Sequence, residues 1–213
     1  MIFHGYFRSS AAWRCRIAFN LKEISPEQTR FVHLRRGGGE QNQPAYRAIN
    51  PQGLVPALET EAGVLTQSLA IIEWLDETQP GPRLVPEDAF QRARVRGFAQ
   101  AIACDIHPLH NLRVLGYLGQ HFGQDQAGKD AWCRHWIAAG LEACEAMVSP
   151  DSPFCFGDQP GLAEICLVPQ MASAGRFGLD TGHLPRLTAI TARCNGLDAF
   201  ALAAPARQPD FEE

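Results

Sequence analysis

The chain of 213 residues contains no long hydrophobic run and no marked excess of charge of either sign. Its N-terminus lacks the continuous apolar segment of an export signal, and no stretch approaches the roughly 20 apolar residues of a membrane span. The chain is therefore expected to be cytoplasmic. A formal net charge of −4 provides no general pull towards nucleic acid or anionic lipid. C-x-x-C is missing among the seven cysteines, Cys15, Cys104, Cys133, Cys144, Cys155, Cys166 and Cys194. An odd number spread this widely reads as reduced, mostly buried thiols. His107-Pro108-Leu109-His110 offers two imidazoles with no third ligand in view, so no metal is expected. The glycine-rich stretch 35–44 is not followed by G-K-[ST], which argues against a phosphate cradle and for a mobile loop. No G-x-S-x-G elbow is present. What remains is a globular composition, 46% hydrophobic and 20% charged, long enough for a sizeable core in one domain or two.

The first informative stretch is Phe7-Arg8-Ser9-Ser10-Ala11-Ala12-Trp13-Arg14-Cys15-Arg16-Ile17-Ala18. It follows the short apolar run Ile2–Tyr6, of strand length, and Trp13, Ile17 and Leu21 then recur at helical spacing. Ser9 and Ser10 stand where strand becomes helix, and either can cap it. The plainest reading is an N-cap followed by basic residues on a solvated face. The chemical one is an anion or thiolate site, because a helix start offers N–H groups and partial positive charge.

Residues 27–34 read as a second strand. Asn50-Pro51 and Gly53 mark a turn, and Pro56 opens a short apolar strand. The run 63–68 leads to a helix with Leu69, Ile72 and Leu75 on one face. Ser68 at its start is either a second N-cap or part of a carboxylate site. The proline-rich segment 79–86 ends that helix. Before it the pattern is βαβ, then two strands and a helix; after it only helices are legible. The division predicted is a first domain 1–80, a linker 81–86 and an all-helical domain 87–213.

In the second half, 90–120 reads as one long helix kinked at Pro108, with His107, Asn111 and Leu115 on a common face and Arg113 beside it. Residues 131–147 form a helix with Trp132, Trp136 and Leu141 as core candidates. Gly161 and Glu164 have the spacing of a capping box without its hydroxyl. Arg176 ends the helix they open, where it reads as a dipole partner.

The order of residues 8–18 resembles the signature of zeta-class glutathione transferases, R-S-S-C-x-[WYH]-R-V-R-I-A. Ala11 stands where that family usually has cysteine, and Cys15 where it has valine. Val55-Pro56-Ala57-Leu58 resembles the thioredoxin-like segment in which the X-Pro bond is cis. His107-Pro-Leu-His-Asn-Leu-Arg-Val-Leu is similar to the zeta-class Q-P-L-Q-N-L-x-V-L; His107 replaces the first glutamine, and Arg113 stands where many members carry serine. Arg176-Phe177 and the tail 206–210 also match.

The resemblance implies a fold and a reaction. The fold is an α/β thioredoxin-like N-terminal domain followed by an all-α C-terminal domain, in a homodimer. The cofactor is glutathione, contacted by Ser9, Gln41, Val55, Gln67, Ser68, His107, Asn111 and Arg113, with Gln67 and Ser68 on its γ-glutamyl carboxylate. Ser9, with Ser10 as alternate, would ionise the thiol, and Arg8 and Arg176 would hold the carboxylates of a small dicarboxylate substrate. The reaction is cis–trans isomerisation of maleylacetoacetate to fumarylacetoacetate in tyrosine breakdown, by reversible thiolate addition to the double bond. Three alternatives remain. They are maleylpyruvate isomerisation in gentisate breakdown, general zeta-class transfer to electrophiles such as α-halo acids, and a non-catalytic glutathione-fold binding protein. With Ala11 in place of the family cysteine, a mechanism that needs that cysteine is excluded.

Overall fold

Strand β1 (Ile2–Gly5) hands over to helix α1 (Ser10–Leu21) within four residues. A computed structural model describes residues 1–212 of the chain. After α1 come β2 (Gln28–Phe31), a one-turn helix α2 (Pro44–Arg47), β3 (Ala57–Thr60), β4 (Gly63–Thr66) and α3 (Ser68–Thr78). The strands lie in the order β2-β1-β3-β4, with β1 parallel to β2 and antiparallel to β3, and β3 antiparallel to β4. A βαβ unit followed by a ββα unit in one sheet is the thioredoxin-like arrangement. Ile17, Ala18, Leu58, Ile71, Ile72 and Leu75 have no exposed surface, and Phe19 meets Phe3 edge-on at 5.2 Å. The Val55-Pro56 peptide is cis.

The remaining helices are α4 (Ala89–Gln100), α5 (His107–Leu109), α6 (Leu112–Phe122), α7 (Gln126–Met147), α8 (Leu162–Arg176), α9 (Pro185–Asn195) and α10 (Asp198–Ala201). The chain divides into two compact units, Pro86–Asn195 and Met1–Val85 joined by the segment from Gly196 onward. The sequence pattern had grouped that last segment with the helical half. It packs instead against the first unit, where Asn20 Nδ2 donates to the Ala199 carbonyl at 2.9 Å and Arg16 Nε to that of Ala203 at 3.0 Å.

Four further expectations are corrected. The stretch 90–120 is not one helix: after α4, residues Ala101–Ile106 form a wider π-helical turn, α5 follows, and α6 starts afresh with Asn111 as its N-cap. Pro108 has no N–H, and its ring excludes the ordinary partner four residues back. Asn111 is extended (φ −70°, ψ 150°), so His107, Asn111 and Leu115 do not share a continuous helical face. On α7 the buried positions are Cys133, Ile137, Leu141 and Cys144, whereas Trp136 is exposed. The glycine-rich loop is folded, not loose. It makes two short 3-10 turns, and Glu40 Oε2 accepts from the His33 N–H at 2.7 Å. Gly37, Gly38 and Gly39 all have positive φ there, which is why glycine occupies the loop. Finally, Arg14 is not on a wet face: it is 1% exposed.

A buried ion pair closes the first unit. The side chains of Lys22 and Asp76 are 1% and 0% exposed and 3.6 Å apart. Asp76 Oδ1 accepts from the Leu84 N–H at 2.7 Å, and Lys22 Nζ donates to the Pro82 carbonyl at 3.1 Å. The pair thus ties the C-terminal end of α1 and of α3 to the segment leaving the sheet. Arg83, half exposed, is a second partner of Asp76 at 3.4 Å. Asp76→Ala strands the Lys22 charge and is expected to lower the unfolding free energy by about 3–5 kcal/mol, read as a shift of the urea midpoint. Lys22→Met is expected to cost less, because Arg83 and the Leu84 N–H still serve Asp76.

Candidate functional site

The first set of functional side chains sits where β1 ends. The Ser9 N–H donates to the Tyr6 carbonyl at 3.0 Å, which closes a tight turn, and the Trp13 N–H donates to the Ser9 carbonyl at 2.8 Å. Ser9 is the N-cap of α1, and its Oγ accepts from the Ala12 N–H at 3.2 Å. A hydroxyl that accepts in a cap retains its own proton to donate. Ser10 is the first helical residue and is 8% exposed. Of the two serines left open by the sequence, Ser9 therefore has the cap geometry and the greater access. Arg8, half-buried, stands with its guanidinium 5.2 Å from the centre of the Phe7 ring. Ala11 and Ala12 fill the first turn, and Cys15, the chain's next thiol, is fully buried a turn deeper.

A second helix start lies against the second turn of α1, where Ser68 meets Arg14 and Cys15. Ser68, the first residue of α3, is 5% exposed, and its Oγ accepts from Arg14 Nη1 at 3.3 Å. Arg14 Nε and Nη2 are buried without a hydrogen-bond partner. The guanidinium thus puts positive charge under the N-terminus of α3, adding to the helix dipole. Gln67, the N-cap, has φ +70°, a conformation that costs a non-glycine residue about 1–3 kcal/mol and persists where surroundings impose it. Its Nε2 donates to Gln52 Oε1 at 2.9 Å.

Val55 completes the first unit's set. It shares a buried cluster with Tyr6, Phe7, Val32 and Tyr46. Tyr46 Oη and Asn50 Nδ2 both donate to the Leu54 carbonyl, at 2.8 and 2.7 Å, and so hold the turn that leads into Val55. Gln41 borders that turn: a Cβ on Gly53 would lie 3.0 Å from the Gln41 carbonyl. Gln41 Nε2 donates to the Leu34 carbonyl at 3.2 Å, while its Oε1 is buried with no partner.

The helical unit holds the others. Asn111 Oδ1 accepts from the Arg113 N–H at 3.2 Å, which places Arg113, exposed, in the first turn of α6. His110, 4% exposed, has Nε2 3.2 Å from Gln170 Oε1 of α8. Its ring lies 5.3 Å from that of His107 and 5.9 Å from that of Phe177. Arg176, the last residue of α8, has its guanidinium 4.8 Å from the centre of the Phe177 ring. His110 therefore links the His107 turn to the Arg176 end of α8. Sequence reading missed Arg14, Gln52 and His110. Arg14 and His110 carry no spacing signal, because their roles come from burial; Gln52 was passed over as a turn residue.

Four of the seven thiols are held in the poorly nucleophilic protonated form by burial. Burial pushes Cys133 up to about 11 and Cys144 up to about 12, and raises Cys155 and Cys194 further. Among the described residues, no group of three or more His, Cys, Asp or Glu could hold a metal ion. Paired helix starts, an electropositive Arg14 and an unpartnered Gln41 oxygen suit an anionic peptide carrying its own reactive group.

Residues 3–83 match the N-terminal domain family of glutathione S-transferases. A maleylpyruvate isomerase from a Ralstonia species is 49% identical over 213 residues, 99% of each chain. A solved holo structure of maleylpyruvate isomerase, a bacterial zeta-class glutathione S-transferase, superposes with a TM-score of 0.95 at 48% identity over the whole of both chains. Maleylacetoacetate isomerase from Anaeromyxobacter dehalogenans, solved with dicarboxyethyl glutathione and citrate in its active site, gives a TM-score of 0.86 at 40% identity, covering 99% of this chain and 97% of that one. The chain belongs to the glutathione S-transferase family, among its zeta-class isomerases.

Proposed function

We propose that this protein is a glutathione-dependent cis–trans isomerase acting on maleylacetoacetate, with maleylpyruvate as the second candidate because a relative of that name is 49% identical. The observation that carries the reading is Ser9, whose Oγ accepts the capping N–H at the start of α1 and keeps a proton for a thiolate. The fit to glutathione rests on residues of this chain. Gln67, Ser68 and Arg14 suit an α-carboxylate. Val55 suits a peptide backbone, and the unpartnered Gln41 Oε1 suits an N–H donor.

When bound, glutathione supplies a thiolate that adds reversibly to the conjugated double bond, and the resulting single bond rotates before the thiolate leaves. The chain's part is electrostatic. Ser9 donates to the sulfur and favours its ionised form, assisted by the α1 N-terminus. Preorganised donors and cations aimed at developing charge are commonly the largest catalytic contribution. Arg8 and Arg176 bind substrate carboxylates, for which a guanidinium fork is suited. His107, Asn111 and Arg113 are the remaining residues assigned to glutathione in this reading. The thioether found in the Anaeromyxobacter isomerase, dicarboxyethyl glutathione, is the class of compound that thiol addition to a butenedioate produces. A cytoplasmic homodimer belongs to the same reading; among the described residues no helix is long and apolar enough to cross a membrane.

Ser9→Ala is expected to lower turnover about ten-fold or more, the scale of one lost charge-stabilising hydrogen bond; unchanged turnover moves the role to Ser10. Arg176→Ala is expected to raise KM more than it weakens glutathione binding measured by calorimetry, and equal effects would place Arg176 on the cofactor instead. Maleylacetoacetate and maleylpyruvate should be compared in one absorbance assay with and without glutathione. Loss of signal only with glutathione is expected, and no loss with either substrate would leave a binding protein.

A further inference from the structure

The segment beyond α10 crosses back over the turn that presents Ser9. It passes through a 3-10 turn, Pro205–Arg207, steadied by Gln208 Nε2 donating to the Leu202 and Ala204 carbonyls at 3.0 Å each. Asp210 Oδ2 then accepts from the Phe7 N–H at 2.9 Å. The Phe211 ring meets Phe7 edge-on at 5.5 Å. Glu212 pairs with Arg36 and lies 3.2 Å from His33 Nε2. Arg16 holds Phe7 as well, together with Tyr6. Its Nη2 donates to the Phe7 carbonyl at 3.0 Å, its Nη1 to the Tyr6 carbonyl at 3.4 Å and its Nε to the Ala203 carbonyl at 3.0 Å.

The two peptide groups flanking Phe7, Tyr6–Phe7 and Phe7–Arg8, are thus held by one cation of α1 and one carboxylate of the tail. The Tyr6 carbonyl that receives Arg16 also receives the Ser9 N–H, so a shift there is passed directly to Ser9. Beside Arg16 and Asp210 the strap borders a cavity of about 200 Å³, with Phe3, Phe19, Phe31 and Leu202 in its wall. The polar contacts, together with the Phe211 ring on Phe7, therefore set the position. Burial lowers the Arg16 guanidinium to about 10, and Asp210 opposes that shift; removing the carboxylate would leave Arg16 buried without its counter-charge.

We infer that the C-terminal tail is a working part of the thiol-activating site, and that Asp210 is a positioning residue that fixes Ser9 through the Phe7 backbone. The inference rests on the role proposed for Ser9, and the test separates the two. In the full-length protein with bound glutathione, the thiol's ionisation is followed by thiolate ultraviolet absorbance against pH. Asp210→Ala is expected to raise the apparent thiol pKa by about one unit, a ten-fold loss of preference for the thiolate, with glutathione affinity changed less than about three-fold. Asp210→Asn, which retains an acceptor for the Phe7 N–H, is expected to recover most of that shift. In the ligand-free protein, hydrogen exchange of the peptide covering Tyr6–Ser9 is expected to quicken in Asp210→Ala.

Ser9→Ala is titrated alongside. If it raises the thiol pKa and Asp210→Ala does not, the tail inference is overturned while the Ser9 role stands. If neither moves it, both fall. Equal losses in Asp210→Ala and Asp210→Asn would also overturn the backbone-holding role. Should Asp210→Ala fail to fold, Phe211→Ala, which removes the ring against Phe7, carries the test: a raised thiol pKa is expected, and a wild-type titration overturns the inference.

Discussion

The structure of the first unit depends on how β1 is handed to α1. A strand that ends at Gly5 must become a helix by Ser10, so four residues have to satisfy their backbone groups without ladder or helix. They do so through the Ser9 N–H on the Tyr6 carbonyl, Arg16 on the Tyr6 and Phe7 carbonyls, and Asp210 on the Phe7 N–H. Buried backbone groups need such partners. The consequence is chemical as well as structural. The turn held in this way is the one that carries the Ser9 hydroxyl and the N-terminus of α1.

A second constraint acts on charge. This unit buries Arg14, Lys22 and Asp76 almost completely. Lys22 and Asp76 neutralise each other, whereas among the described residues Arg14 donates to the Ser68 hydroxyl with two nitrogens unpartnered. Burying a guanidinium in this state is costly. The cost is borne at the start of α3, beside a Gln67 held at φ +70°. Two locally unfavourable features at one helix N-terminus fit the anionic ligand proposed for it. The helical unit shows the same habit: its regular helix is interrupted by a π-helical turn and a fresh N-cap around His107 and Asn111.

Much was legible in the residue order. The β1–α1 junction, the turn before Pro56, the start of α3 at Ser68 and the end of α8 at Arg176 follow from local rules: helical spacing, capping hydroxyls and the backbone restrictions of proline and glycine. The failures have a common cause. Trp136 was placed inside because large apolar residues usually are, yet the stripe of α7 that is buried runs through Cys133, Ile137, Leu141 and Cys144. Periodicity tells that a face exists, not which neighbour covers it. The plainest reading puts the basic residues after Ser9 on a solvated face because charge usually is solvated, and the kink expected at Pro108 instead begins upstream, over residues 101–106.

The sequence by itself determined the family, the α/β-then-α plan and the identity of the hydroxyl and guanidinium groups at the helix ends, because these depend on short-range pattern and on residue type. Tertiary structure alone decided which of Ser9 and Ser10 caps α1, that Arg14 lies buried under Ser68, and that the segment from Gly196 returns to the first unit so that Asp210 reaches Phe7. Those outcomes depend on contacts between residues as far as 203 positions apart, and no local propensity encodes a separation of that size.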